Sequence, residues 1–196
     1  MNFLKKLFKS YIETKRNQEI KEQTVHLSLD DSFVHNFINK GGKFLYCTKI
    51  EEVTVHLKHI LAENNWKKIV CADLDLLKLL TNIDVNTQMN FSNNIPFFTA
   101  CEHLIASQGD ILFSSNQLGS NKLSSFSDNF IIYATTSQIV KNTGEGLTGI
   151  KTNFRGNIPT NISAIKNYSI KNSNDNFMDY GNTNSKNLYL LLFEDL

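Results

Sequence analysis

The chain has little cysteine and almost no net charge. Its three cysteines, Cys47, Cys71 and Cys101, stand far apart in the sequence and form no Cys-x-x-Cys pair. A scattered, odd set is typical of reduced thiols rather than of a disulfide framework, and it lacks the closely spaced thiolates that an iron–sulfur cluster needs. The formal charge of +1 over 196 residues provides no field that would attract a polyanion, which argues against nucleic-acid binding.

Long apolar runs are also missing. The longest ones, such as residues 188–193, are far too short to span a bilayer, so we expect no membrane span. The first eleven residues are basic but lack the apolar stretch and the small-residue cleavage site of a signal peptide. Together with the reduced thiols, these absences predict a cytoplasmic protein. The sequence also lacks a nucleotide-binding glycine fingerprint and a serine-nucleophile elbow, and we expect no cofactor.

An apolar stripe with helical spacing occupies the N-terminal region, which predicts an amphipathic helix within residues 1–24 followed by one α/β domain over residues 25–196. The stripe consists of Phe3, Leu4, Leu7, Phe8, Tyr11 and Ile12. Lysines lie between its members. Such a helix can pack on its own domain, dock on a partner or lie on an anionic membrane. The acidic residues that follow, Glu13, Glu19 and Glu22, disfavour the membrane.

Beyond this region, short apolar segments alternate with helical ones, which predicts a mostly parallel sheet flanked by helices. The predicted strands are residues 43–47, 68–72, 96–100, 110–114, 129–134, 161–166 and 188–193. The predicted helices are residues 32–38, capped by Asp30, then 50–61, 74–80 and 137–154. Residues 82–94 are polar and are predicted to form a loop.

The most distinctive pattern lies between residues 101 and 140. It predicts a short helical turn, a glycine turn, a strand, a polar loop, a second strand and the start of a helix. The order of residue types resembles the central signature of the LUD-domain family, the lactate-utilisation proteins of the LutC/YkgG type. The matching residues are Glu102, Ile105, Ala106, Gly109, Ile111, Ser114, Ser115, Gln117, Lys122, Leu123, Ser124, Ile131, Ser137, Gln138, Ile139 and Val140.

The resemblance implies a fold and a biological setting. The fold would be the three-layer α/β sandwich of the NagB/RpiA/CoA-transferase-like type, with a mostly parallel central sheet flanked by helices. The setting would be oxidation of L-lactate to pyruvate, in which these proteins work with iron–sulfur oxidoreductase subunits.

The resemblance weakens where the family carries its most distinctive polar residues. Of a family Gly-Pro-Ser triplet only Ser169 is present, and Thr183 occupies the position of a family histidine. One of two basic loop positions is Asn121, so only Lys122 remains there. Loss of the histidine removes the one side chain that titrates near neutral pH. The pattern therefore favours an accessory or non-catalytic subunit with a degenerate ligand site.

The alternative is a small-ligand-binding enzyme that acts on a 2-hydroxy acid or a phosphorylated metabolite, and the sequence leaves enzymatic activity open. The residues expected to bind a small carboxylate or phosphate are Glu102, Ser114, Ser115, Lys122, Ser124 and Ser169. Lys122 and Ser124 would contact the anion, and Glu102 would orient a basic side chain or accept a ligand hydroxyl. Equally, Glu102 can be a helix-terminus charge and the serines can be ordinary loop residues. No catalytic residue is assigned.

Two further groupings of side chains are explained without chemistry. His56 and His59 share a helix face but have no evident third ligand, so we expect a solvated face and no metal. Asp73 directly follows a predicted strand, where it is expected to cap the next helix.

Overall fold

A computed structural model of the protein describes residues 27–154, 156–168 and 185–195. The predicted N-terminal helix lies outside these residues. The helices are α1 (Leu29–Asn39), α2 (Ile50–Glu63), α3 (Leu74–Leu80), α4 (Ser115–Leu118) and α5 (Thr143–Asn153). The strands are β1 (Lys43–Cys47), β2 (Lys68–Val70), β3 (Asn86–Gln88), β4 (Phe97–Ala100), β5 (His103–Ile105), β6 (Asp110–Phe113), β7 (Asn129–Thr135), β8 (Ile139–Val140), β9 (Ser163–Ile165) and β10 (Asn187–Phe193).

Six parallel strands form the central sheet, in the order β1-β10-β7-β4-β2-β3. The two longest strands, β7 and β10, lie side by side in its middle, with Leu190 opposite Ile132. Both are continuous apolar runs, as expected of strands that are covered on both faces. Because all six strands are parallel, their carboxyl ends meet at one edge of the sheet.

One face of the central sheet is covered by α2 and α3. Each helix carries one apolar stripe, which is the pattern of a helix that packs against a sheet with its outer face in water. The buried members of the stripes are Val53, Leu57, Ile60 and Leu61 in α2 and Leu76 and Leu80 in α3. Fully burying a side chain of this size stabilises the fold by about 1.5–3 kcal/mol.

The opposite face is covered by α1 together with a second, four-stranded sheet in the order β8-β5-β6-β9. In this sheet β5 and β6 are antiparallel, and β8 joins β5 in parallel. Phe33 and Phe37 of α1 are completely buried in the core between the layers. The predicted three-layer α/β sandwich is therefore confirmed, with the difference that one flank contains a small sheet as well as a helix.

The turn between β5 and β6 holds α1 in place. Asn36 Nδ2 donates a hydrogen bond to the carbonyl oxygen of Ala106 over 2.8 Å. Gly109 in the same turn has φ +67°, and a Cβ there would stand 2.5 Å from the backbone nitrogen of Phe37. Only glycine permits both this backbone conformation and this close approach. The glycine turn of the sequence signature is thus a packing contact.

Three predictions made from the sequence are wrong in detail. The helix expected over residues 137–154 begins at Thr143, because Asn142 caps it and the two residues of β8 pair with Leu104 and Ile105 instead. The helical turn expected near residue 103 is strand β5, and the loop expected over residues 82–94 contains strand β3.

The remaining predicted elements are present with small shifts at their ends. Helix α1 is capped by the Ser28 hydroxyl, which accepts from the Asp31 amide, rather than by Asp30. Asp73 caps α3 as predicted, because its carboxylate accepts from the Asp75 amide over 2.9 Å. Within the described ranges, no helix is long and apolar enough to cross a membrane.

Candidate functional site

Polar residues collect where the neighbouring central strands β4, β7 and β10 end. Glu102 follows β4, the segment Thr136–Gln138 follows β7, and Asp195 follows β10. This is the edge of a parallel sheet at which α/β proteins bind ligands. We call these residues, together with Ser114 and the first turn of α4, the carboxyl-edge cluster.

Glu102 is the centre of one half of the cluster. Its Oε1 atom accepts hydrogen bonds from Ser114 Oγ over 2.5 Å, Asn116 Nδ2 over 2.9 Å and Gln117 Nε2 over 3.1 Å. Ser114 is completely buried, and its hydroxyl also accepts from the Asn116 amide. The Ser114 amide donates to Gln117 Oε1 over 2.9 Å, which closes a capping box at the start of α4. Glu102 therefore fixes the first turn of α4 to the end of β4.

Asp195 is the centre of the other half. It accepts from Thr136 Oγ1 over 2.8 Å, from the Ser137 amide over 3.0 Å and from Ser137 Oγ over 2.6 Å. Partial burial raises the pKa of this carboxyl, but the hydrogen bonds from Ser137 and Thr136 together outweigh it and leave the pKa well below its usual range. Asp195 is therefore ionised at neutral pH, and its carboxylate is occupied by donors from the turn after β7.

Gln138 joins the two halves. Its Nε2 donates to the carbonyl oxygens of Cys101 over 2.6 Å and Glu102 over 3.3 Å, and its Oε1 accepts from the Thr135 amide over 2.8 Å. The amide side chain thus ties the end of β4 to the end of β7. Each of these hydrogen bonds of Gln138 has a backbone group as its partner, so the side chain fixes backbone geometry. This gives the cluster a structural role in shaping this edge of the sheet.

The residues predicted from the sequence to bind a ligand do not all meet. Glu102 and Ser114 are in direct contact. Ser115 points elsewhere, because its Oγ accepts from the Thr160 amide over 3.0 Å. Lys122 and Ser124 are exposed on the turn after α4, and Ser169 lies outside the described residues. Glu102 is not the helix-terminus charge considered from the sequence, since it precedes β5.

Asn116, Gln138 and Asp195 are among the members of the cluster that were not predicted from the sequence as polar partners. A local signal for Gln138 was available, because Thr135 and Gln138 have the three-residue spacing of a capping box, which the structure contains. Asp195 had no such signal. It is brought to Ser137 only by the pairing of β10 with β7.

The described residues contain neither an activated thiol nor a metal-binding group of side chains. Burial, with a smaller effect of nearby carboxylates, raises the pKa of Cys47 and of Cys71 to about 11, and burial raises that of Cys101 further. Thiols with a raised pKa are protonated and poorly nucleophilic. Within the described part of the chain, no group of three or more His, Cys, Asp or Glu side chains is placed to hold a metal ion.

Two surface cavities are lined by residues that do not belong to the carboxyl-edge cluster. One, of about 460 Å³, lies beside Trp66 and includes Lys58 and Lys67. The other, of about 550 Å³, lies between α1 and β1 and includes Phe44 and Tyr46. Neither cavity is lined by a residue that the sequence predicted to bind a ligand.

Comparison with known proteins gives a result for the fold alone. No protein-family model matches the chain, and no curated protein does. Among solved structures, it is similar to the crystal structure of a DUF162 family protein from Deinococcus radiodurans, with a TM-score of 0.61 and 17% sequence identity. The match covers 86% of this chain and 99% of that one. DUF162 is the LUD-domain family, so this chain has the fold of a LUD-domain protein.

Proposed function

We propose that the chain is a cytoplasmic LUD-domain protein related to lactate utilisation, in which it serves as an accessory, non-catalytic subunit beside iron–sulfur oxidoreductase proteins. The proposal combines the likeness of fold with the sequence pattern of residues 101–140. It includes one α/β domain over residues 25–196, preceded by a helix within residues 1–24.

The observation that carries this proposal is the state of the two carboxylates in the carboxyl-edge cluster. Three side chains of the protein converge on Glu102 Oε1, and Asp195 is likewise surrounded by donors of the turn after β7. A ligand that used Glu102 Oε1 would have to displace donors that include the buried Ser114 hydroxyl. An unsatisfied buried donor costs about 1–3 kcal/mol. This arrangement favours a scaffold over a reactive site.

Co-purification tests the accessory role. The tagged full-length chain, expressed at its natural level and isolated gently, is expected to bring down an oxidoreductase with the visible absorption of an iron–sulfur cluster. The same tag on an unrelated protein is the control. Recovery of the chain alone, from cells that contain such oxidoreductases, would contradict the proposal.

A second candidate is a site for a small carboxylate or phosphate, favoured by Lys122 and Ser124. Both are exposed on one short turn, and no hydrogen bond within the described ranges uses the Lys122 ammonium or the Ser124 hydroxyl. The Lys122 carbonyl oxygen accepts from the Ser125 hydroxyl over 2.7 Å. A cation and a hydroxyl this close in sequence can bind an anion.

Thermal-shift measurements with lactate, pyruvate and sugar phosphates separate the two candidates. A ligand present at 100 times its Kd stabilises a protein by about 2.7 kcal/mol, which for a chain of this size raises Tm by roughly 5–10 °C. A binding site predicts that rise, its loss in Lys122→Ala, and its retention in Lys151→Ala, an exposed lysine on α5. The accessory role predicts no rise with any of these ligands.

A further inference from the structure

The cavity between α1 and β1 has an apolar floor at an edge of the central sheet. Its floor consists of Val34, Phe44, Tyr46 and Leu192, and we call it the edge groove. Among the described residues, strand β1 is the outermost strand on this side and pairs with β10 alone, and Tyr46 remains 45% exposed. At the entrance, Leu27 is also about half exposed. An apolar patch of this kind on a protein surface commonly marks a binding surface.

The rim of the edge groove is acidic. Asp30 and Asp31 line it, and no lysine or arginine of the described residues does. Partial burial, then a hydrogen bond to Glu194, and then the negative charges of Glu194 and Asp30 raise the pKa of the Tyr46 hydroxyl. The carboxylates of Asp30 and Glu194 therefore lie near the exposed Tyr46, Asp31 adds another at the rim, and the groove favours a cationic occupant.

A segment of the same chain has the complementary pattern. Residues 3–12 carry the predicted apolar stripe, and residues 1–16 contain five basic side chains and one acidic side chain. The described part of the chain begins at Leu27, which itself lines the edge groove. The 14 residues between Ile12 and Leu27 can extend over about 46–50 Å, enough to turn back along the groove.

We propose that the edge groove binds the N-terminal amphipathic segment of its own chain, residues 3–12, through its apolar stripe and lysines. The covalent connection gives this segment an effective concentration in the millimolar range, which no separate molecule of ordinary abundance matches. Docking would cover the exposed face of Phe44 and Tyr46 at the sheet edge. The proposal is independent of the lactate-related function and would stand without it.

Paramagnetic broadening in the full-length chain tests this docking. A nitroxide is attached to Ser10→Cys in ¹⁵N-labelled protein; the three native cysteines are buried and do not compete for the label. Docking predicts that the amides of Val34, Phe44 and Tyr46 lose most of their peak intensity, whereas those of Trp66 and Asn86, beside the other cavity, keep theirs. Adding Phe8→Glu, which places a charge in the apolar stripe, is expected to restore the lost intensity.

Every other outcome overturns the proposal. Broadening that appears when nitroxide-bearing unlabelled protein is mixed with ¹⁵N protein without nitroxide would identify a second copy as the occupant. In another outcome, vesicles of phosphatidylcholine and phosphatidylserine bind the chain and abolish the broadening of the groove amides. That result would identify a membrane as the preferred partner. Uniformly weak broadening, or broadening unaffected by Phe8→Glu, would leave the groove without this occupant. A Tyr46→Ser variant provides a second check. It removes an aromatic side chain from the floor of the groove, so it must reduce the broadening of the amides of Val34 and Phe44.

Discussion

Replacing Glu102 by alanine would remove the atom on which three side chains of the carboxyl-edge cluster converge. The largest cost would arise at Ser114, because its completely buried hydroxyl donates to Glu102 Oε1 and would lose this acceptor. A buried donor without an acceptor costs about 1–3 kcal/mol. The two side-chain amides, of Asn116 and Gln117, lie nearer to water and add less. We expect Glu102→Ala to lower the free energy of unfolding by about 2–4 kcal/mol.

Differential scanning calorimetry of the full-length chain measures this loss. For a chain of this length a loss of 2–4 kcal/mol corresponds to a fall in Tm of roughly 5–15 °C. Glu102→Gln is the matched control: it retains an acceptor oxygen of similar position and should cost about 1 kcal/mol. Combining Glu102→Ala with Ser114→Ala removes both partners, so the double variant should lose less than the two single losses added together. A Glu102→Ala protein within about 0.5 kcal/mol of the native one would refute the structural role of the cluster.

Three further predictions concern the rest of the fold. Gly109→Ala should destabilise the protein by more than about 2 kcal/mol, because the backbone has a positive φ there and a Cβ would contact α1. Gly156→Ala is the control: its φ is +93°, but a Cβ would have nothing within 4 Å, so it should cost only about 1 kcal/mol. Urea unfolding compares the two variants. Burial raises the pKa of the three thiols above the unfolded value, so their contribution to stability should be complete below about pH 8.5. The contribution of Cys47 and Cys71 should be lost as the pH rises through about 11, and that of Cys101 at a higher pH; a thiol reagent at pH 8 should react only after unfolding. Asp128→Ala should destabilise more than Lys186→Met, because it leaves the buried ammonium of Lys186 without its carboxylate partner at 3.1 Å; equal losses in urea would contradict this reasoning.

The sequence predicts those parts of this fold that depend on local patterns. Strand β1 and helix α3 have the predicted boundaries, because apolar periodicity and the Asp73 cap are properties of neighbouring residues. Strand β8 was missed for the opposite reason. Its two residues become a strand only by pairing with β5, more than thirty residues earlier, and that partner was itself predicted to be helical.

The candidate site follows the same division. The contact between Glu102 and Ser114 joins residues 12 apart, which the resemblance had already brought into one signature. Asp195 meets Ser137 across 58 residues, and nothing near either residue indicates the other. Lys122 and Ser124 were grouped with Glu102 because all three belong to the signature that resembles the LUD-domain family. In the structure the capping of α4 uses Ser114, Asn116 and Gln117, while Lys122 and Ser124 are exposed on the turn that follows.

The position of β10 between β1 and β7 has a consequence for how the protein is made. Lys43 of β1 reaches its partner Tyr189 only across 146 residues. During synthesis β1 therefore leaves the ribosome long before β10 exists. Until β10 is made, the side of β7 that will pair with it has no partner strand. The middle of the sheet is completed last, when β10 inserts between β1 and β7. We therefore expect slow folding, and a growing chain that depends on chaperones until β10 has inserted.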